Sequence, residues 1–112
     1  MDLIAFIYTK EPVNLRDLEY VVALAETGRF VAAAAKCHVS QPTLSSQVAK
    51  LEEELGVLLF ERTRRGVIPS EVGLEIVERA RAVLLQTREL TERARGARGL
   101  LGATLRLGLI PT

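Results

Sequence analysis

The sequence lacks the features that mark secreted and membrane proteins. It has one cysteine, so no intrachain disulfide can form, and a reducing cytoplasm is its expected setting. No apolar run approaches the roughly 18 residues that a membrane span needs. Residues 3–8 are apolar, but this short run has no basic segment before it and makes a poor signal peptide. We therefore expect a cytoplasmic protein that does not associate with membranes.

Aromatic residues and net charge are also scarce. The chain has no tryptophan, and its 112 residues carry a formal net charge of only +1. The core of its small domain must therefore be mainly aliphatic. The net charge of the whole chain does not by itself indicate that it binds nucleic acid. Locally, however, Arg62, Arg64 and Arg65 cluster with a single acid, Glu61. Such a local basic group can contact phosphates even on a neutral domain.

Catalytic and metal-binding patterns are missing as well. The one histidine adjoins the one cysteine, and the chain has neither a paired acid and base nor a glycine-rich phosphate loop after a strand. Cys37 and His38 alone cannot complete a zinc site, which needs about four ligands. We predict that the chain is not an enzyme, holds no metal or cofactor, and uses Cys37 as a core thiol.

Residues 30–51, FVAAAAKCHVSQPTLSSQVAKL, read as two short helices around a tight turn. The alanines of the first segment let a second helix cross it closely, and Cys37 and Val39 are apolar plugs beside the turn. Ser40 can cap the second helix. Pro42 is tolerated in its first turn because the missing N–H would have no intrahelical partner there. This pattern predicts a helix-turn-helix whose second helix begins at Ser40 or Gln41.

The second helix has an apolar stripe of Leu44, Val48 and Leu51, spaced i, i+4, i+7. Its other positions carry short polar side chains suited to base edges and phosphates in a major groove. The alternative is that they only solvate a surface helix. We predict base contacts by Gln41, Pro42, Ser45 and Ser46. We predict DNA backbone contacts by Ser40, Thr43, Gln47, Lys50, Arg62, Arg64 and Arg65.

Two further patterns flank the helix-turn-helix. Asn14 can cap a preceding scaffold helix that Gly28 ends, and Gly56 ends the second helix of the pair. After it, β-prone residues 57–60 and 67–68 surround Arg64, Arg65 and a glycine, which predicts a hairpin wing. For Arg62 an alternative stays open, because it could pair with Glu54 or Glu61 instead of DNA.

A long helix is predicted from Ser70, its N-cap, to about residue 98. Apolar and small residues alternate spacings of four and three, which is typical of a seam between two helices. The predicted dimer interface is Ile76, Ala80, Val83, Thr87, Leu90 and Ala94. The alternative is that this helix folds back on its own domain. Gly96, Gly99 and Gly102 are expected to break it into a hinge, followed by a strand at residues 104–110.

The strings VSQPTLSSQVAKLEEELGVLLFERTRRG and LRDLEYVVALAETGRFVAAAAKCH closely resemble the N-terminal domain of LysR-type bacterial transcriptional regulators, over residues 14–98. The resemblance implies DNA recognition by residues matching Gln41, Pro42 and Ser45. Many members carry arginine where this chain has Ser46. It also implies a linker helix through which two subunits pair, a tetrameric full-length protein, and a following effector domain. Within the family, CHVSQPTLS and LGLIPT are most similar to the members that sense hydrogen peroxide.

The resulting expectation is a mainly α fold, a winged helix-turn-helix of three helices and a β-hairpin followed by a long dimerising helix. We divide the chain into an N-terminal extension at 1–13, a DNA-binding domain at 14–69, a linker helix at 70–98 and, at 99–112, a hinge with the first strand of a truncated effector domain. The extension is expected to precede a true start at Val13 or to be artificial. The expected function, by resemblance, is sequence-specific DNA binding by a LysR-type regulator of the peroxide response. The alternatives to this function are a LysR-type regulator that responds to a small metabolite, or a helical dimerisation module without DNA binding.

Overall fold

The computed structural model describes residues 2–5 and 13–106, with side chains described through residue 99. After one helical turn at residues 3–5, the elements follow in the order helix, helix, helix, hairpin, helix. They are α1 Leu15–Thr27, α2 Phe30–Lys36, α3 Gln41–Leu55, β1 Phe60–Thr63, β2 Gly66–Pro69 and α4 Glu71–Arg106. The two strands form an antiparallel sheet. The predicted winged helix-turn-helix followed by a long helix is confirmed.

Local signals set the ends of α1 and α3. The Asn14 side chain accepts a hydrogen bond from Asp17 N–H, and the Asp17 carboxylate accepts one from Asn14 N–H, which completes a capping box. Gly28 and Gly56 end α1 and α3 with φ of 71° and 74°. Glycine adopts this left-handed conformation without the steric cost that a Cβ adds. The sequence predicted the N-cap at Asn14 and the helix ends at both glycines, but it did not predict that Asp17 completes the capping box.

The core is aliphatic and joins α1, α2 and α3 to the wing and to the first turns of α4. Its largest fully buried side chains come from α1, α3 and the segment before β1: Val21, Leu24, Leu44 and Leu59. Ala33 and Ala34 of α2 are also buried. Their small side chains permit the close helix crossing that the alanine run predicted.

The wing differs from its predicted boundaries. Its first strand was expected at residues 57–60, but β1 covers Phe60–Thr63, and its register pairs Phe60 with Pro69 and Thr63 with Gly66. The prediction followed the apolar residues. Val57 and Leu58 instead form the exposed connection from α3, and the polar residues after Phe60 are the ones that pair. Arg64 and Arg65 therefore form the two-residue turn at the wing tip.

The start of α4 is held against the base of the wing. Ser70 Oγ accepts a hydrogen bond from Gly73 N–H at 3.0 Å, as the predicted N-cap, and donates one to the Leu58 carbonyl at 2.6 Å. Gly73 itself packs on the Leu59 carbonyl so closely that a Cβ would overlap it. The helix thus begins in a fixed position relative to the wing.

Two expectations about α4 need correction. Its first turns do fold back on the domain, because Val77 and Ala80 are buried there and α4 packs against α1. Moreover, the helix continues through Gly96, Gly99 and Gly102 to Arg106, so the predicted break is wrong. Each glycine costs only about 1 kcal/mol in a helix, and the alanines, leucines and arginines around them favour helix.

Two predictions about the termini concern segments that include residues outside the described ones. Of the strand expected at residues 104–110, positions 104–106 are helical and 107–110 lie outside the described residues. The predicted extension at 1–13 is described only at residues 2–5 and 13. The division of the chain into domains stays a prediction.

Candidate nucleic-acid interface

The helix α3 begins where the sequence predicted. Ser40 Oγ accepts a hydrogen bond from Thr43 N–H at 3.3 Å and donates one to Thr43 Oγ1 at 2.8 Å. Pro42 is in the first turn and needs no partner for a backbone N–H. The cap therefore fixes the first turn, and it also engages two of the side chains predicted to contact the DNA backbone.

The two faces of α3 separate as expected. Leu44, Val48 and Leu51 are buried at 0%, 4% and 3% exposure. Ser45 lies at the border of the faces and is half-buried, so its hydroxyl is less accessible than its neighbours. The other predicted contacts on this helix and its cap are all exposed: Ser40, Gln41, Pro42, Thr43, Ser46, Gln47 and Lys50. The structure thus presents a continuous polar face at the N-terminal half of α3.

The turn before α3 is fixed from the side of α1. The Arg16 guanidinium donates to the Cys37 carbonyl at 2.9 Å, to Glu19 at 2.9 Å and to the Tyr20 hydroxyl at 3.2 Å. The bonds to Glu19 and Tyr20 raise the pKa of Arg16 above its ordinary value. His38 has a φ of 57°, a left-handed conformation uncommon for a residue with a Cβ. Neither the contacts of Arg16 nor the left-handed conformation of His38 was predicted from the sequence.

Cys37 is buried at 8% exposure beside this turn, with its sulfur 3.8 Å from the Glu19 carbonyl. Burial raises the pKa of the Cys37 thiol. The prediction of a core thiol is confirmed. Within residues 2–5 and 13–99, no group of histidine, cysteine and acidic side chains is arranged to hold a metal ion.

Charge on the wing is concentrated at its tip. Arg64 and Arg65 are exposed, and neither forms an ion pair with any carboxylate in the described part of the chain. The Thr63 hydroxyl donates to the Gly66 carbonyl at 2.8 Å and accepts from Arg65 N–H at 3.2 Å, which closes the turn. The two guanidinium groups are therefore presented on an ordered turn with their charge uncompensated.

Arg62 has a partner that the sequence did not predict. Its Cζ lies 4.7 Å from the centroid of the Phe30 ring. Among the residues described, neither Glu54 nor Glu61 forms an ion pair with it, so the alternative pairing is not observed. A glutamate and an arginine adjacent in sequence point to different faces of a strand, which explains why Glu61 does not reach it.

A carboxylate joins α3 to the wing, and this contact was not predicted from the sequence. Glu52 Oε2 of α3 accepts hydrogen bonds from Leu59 N–H at 2.7 Å and Phe60 N–H at 3.3 Å. On the opposite strand, the Gly28 carbonyl accepts a hydrogen bond from Val67 N–H at 2.8 Å. The wing is thus attached both to α3 and to the α1–α2 turn. The sequence gives no sign of the contact made by Glu52, because an acidic residue near the end of a helix is usually exposed to solvent.

The predicted dimer residues of α4 do not share one environment. Ala80 is 1% exposed and faces its own domain, and Ile76 is half-buried against the same core. The dimer contact predicted for these two residues stays a prediction. Val83 and Leu90 are 43% and 70% exposed. Thr87 is half-buried and Ala94 is exposed. The exposed stripe therefore begins at Val83.

None of the described helices is long and apolar enough to cross a bilayer.

Relatives of known name share this sequence over most of its length. The chain is 54% identical over 100 residues to the hydrogen peroxide-inducible genes activator of Pectobacterium carotovorum subsp. carotovorum, covering 89% of this chain. It is 52% identical, with the same coverage, to the DNA-binding transcriptional dual regulator OxyR of Escherichia coli K12. The chain spans only 33% of the length of each of these relatives. Both are named as regulators and not as enzymes.

Solved structures give the same result for the fold. The CbnR DNA-binding domain in complex with DNA is similar with a TM-score of 0.70 and 40% identity, covering 77% of this chain and 99% of that one. Full-length OxyR C199D of Pseudomonas aeruginosa has a TM-score of 0.71 and 49% identity, covering 75% of this chain and 28% of that one. The profile of bacterial regulatory helix-turn-helix proteins of the lysR family matches residues 15–74. This chain belongs to the lysR family.

Proposed function

We propose that the chain is the DNA-binding part of a LysR-type transcriptional regulator and recognises double-stranded DNA in the cytoplasm. The observation that carries this proposal is the capped, exposed polar face of α3, together with a wing tip whose two arginines have no ion-pair partner among the described residues. Short polar side chains suit base edges, and unpaired guanidinium groups suit phosphates. The similarity to a CbnR domain bound to DNA supports the same reading.

Within this proposal the residues divide into two groups. Gln41 can form a bidentate hydrogen bond to adenine, and Pro42 can contact a thymine methyl group. Ser45 and Ser46 are short enough for close approach to base edges. Backbone contacts come from Ser40, Thr43, Gln47, Lys50, Arg62, Arg64 and Arg65. Sequence specificity then depends on a few placed side chains, because the net charge of +1 gives little non-specific attraction.

Two copies would bind together through the exposed stripe of α4. Val83, Thr87, Leu90 and Ala94 follow one another at spacings of four, three and four, which suits a seam between two helices. A two-fold dimer places two recognition helices on half-sites about one helical turn, or a multiple of it, apart. A tetramer is proposed for the longer protein of which such domains are part.

The response to hydrogen peroxide is the favoured physiological role. Identity to two hydrogen peroxide-inducible genes activators is 54% and 52%, against 44% to the regulator ClcR of Pseudomonas putida. The one cysteine of the chain is buried in the core of the DNA-binding part and is not proposed as the sensor. The signal would have to be received by a segment outside this DNA-binding part.

Selection of duplexes from a random library, followed by binding titrations, tests the proposal. Gln41→Ala should relax discrimination at one base pair by about 1–3 kcal/mol. Gln47→Ala is the matched control, since a lost backbone contact weakens all sequences alike. Removing Arg64 and Arg65 together should lower the salt slope by up to about 2. Absence of any salt-dependent binding would leave the dimerisation module as the better description.

A further inference from the structure

The interaction between Arg62 and Phe30 differs from an ordinary ion pair in its effect on charge. The Arg62 Cζ is 4.7 Å from the Phe30 ring centroid, within the distance of about 6 Å at which a cation and an aromatic face attract. A carboxylate would neutralise the guanidinium, whereas the ring leaves its full charge and its N–H donors available. Arg62 is an exposed residue, so an anion can reach it.

The two residues also lie where the wing is attached to the helix-turn-helix. Phe30 begins α2, two residues after Gly28, whose carbonyl accepts the hydrogen bond from Val67 N–H. Val67 is in turn the register partner of Arg62 across the hairpin. One rung of the wing is therefore held twice, by a backbone bond on one strand and by the ring on the other. The side chains of Arg64 and Arg65, at the tip of the wing, have no aromatic ring as a partner among the described contacts.

We propose that Phe30 is a positioning residue for DNA binding, which holds the Arg62 guanidinium over its ring and presents it, still charged, to a DNA phosphate. This inference rests on the proposed function. The physical gain is entropic, because an arginine loses rotamer freedom when it is fixed on a phosphate. A side chain already ordered on the ring loses less at that step. Arg62 is thus assigned a more rigid contact than Arg64 or Arg65.

A double-mutant cycle with the duplex selected above tests the proposal. Phe30→Leu keeps an apolar side chain but removes the aromatic face, and it should weaken binding about two- to five-fold in the presence of Arg62. The salt slope should stay unchanged, because the charge remains. Arg62→Ala should lower the slope by about 1. In the Arg62→Ala background, Phe30→Leu should have no further effect, which a purely structural role for Phe30 would not produce.

Phe30→Tyr serves as the conservative variant, since it retains an aromatic face and should bind like the unchanged chain. Thermal unfolding of each variant identifies any loss of folded protein before binding is compared. Equal weakening by Phe30→Leu in both backgrounds would overturn the positioning role. An unchanged slope in Arg62→Ala would overturn the phosphate contact. Failure of the unchanged chain to bind any duplex would instead overturn the proposed function, and this inference with it.

Discussion

Gly73, in the first turn of α4, lies directly against the backbone carbonyl of Leu59, and a Cβ at this position would overlap the oxygen. Gly73→Ala should therefore destabilise the domain, although alanine favours helix over glycine. Overpacking of this kind costs about 1–3 kcal/mol, because backbone must move to make room. Urea unfolding followed by circular dichroism measures the change.

Gly96 provides the matched control in the same helix. An added Cβ at Gly96 meets nothing within 4 Å. Gly96→Ala should leave the fold unchanged or stabilise it by up to about 1 kcal/mol through helix propensity. Equal effects of the two substitutions would contradict the steric account of Gly73.

The Glu52 carboxylate should stabilise the domain through its charge. Glu52→Gln keeps the size and one acceptor oxygen but replaces charge-assisted hydrogen bonds to Leu59 and Phe60 with neutral ones. The expected loss in free energy of unfolding is about 1 kcal/mol. Glu53→Gln, an exposed neighbour, is the control and should change the urea midpoint little. Indistinguishable midpoints for the two variants would argue against the anchor.

Cys37 should react slowly while the domain is folded. Burial raises the pKa of its thiol, so the reactive thiolate is rarer than in the unfolded chain. At neutral pH, alkylation by iodoacetamide should accelerate on unfolding in urea. The same shift adds a stability term that is fully present below the unfolded thiol pKa, about 8.5, and is lost as pH rises through the folded pKa.

Cys37→Ala separates this term from the rest of the alkaline response. The variant lacks the ionising thiol, so its free energy of unfolding should fall less above about pH 8.5 than that of the unchanged chain. Parallel decline of the two proteins would show that other groups cause the alkaline loss.

The proposed dimer should depend on one side of α4. Leu90→Asp places a charge in the exposed stripe, and sedimentation should then shift from dimer towards monomer. Leu85 is also exposed, at 55% against 70% for Leu90. It lies about 140° away around the helix, so Leu85→Asp should leave the dimer intact. A dimer that survives Leu90→Asp, or dissociates equally with Leu85→Asp, would refute the assigned face.

The sequence predicted what short-range rules control. Caps at Asn14, Ser40 and Ser70 and left-handed ends at Gly28 and Gly56 follow from local backbone chemistry, and all were found. The fold class followed as well. These features need only a few neighbouring residues, so one sequence contains enough information to locate them.

Contacts between distant segments could not be predicted in the same way. Phe30 and Arg62, like Glu52 and Leu59, meet only after the wing has folded onto the helices. In α4 the difficulty was of another kind, because Ala80 fits two stripes with the same spacing. The row of Val77, Ala80 and Leu84 faces the domain, while Val83 and Leu90 lie on the neighbouring exposed side.

The two neighbouring stripes of α4 limit how this helix can change length during evolution. Ala80 is fixed on its own domain, and the proposed dimer face begins three residues later at Val83. A single-residue insertion between them would rotate everything downstream by about 100° and turn that face away. An insertion of about seven residues, close to two whole turns, would restore its direction. Related chains with insertions here should therefore differ in steps of roughly whole turns.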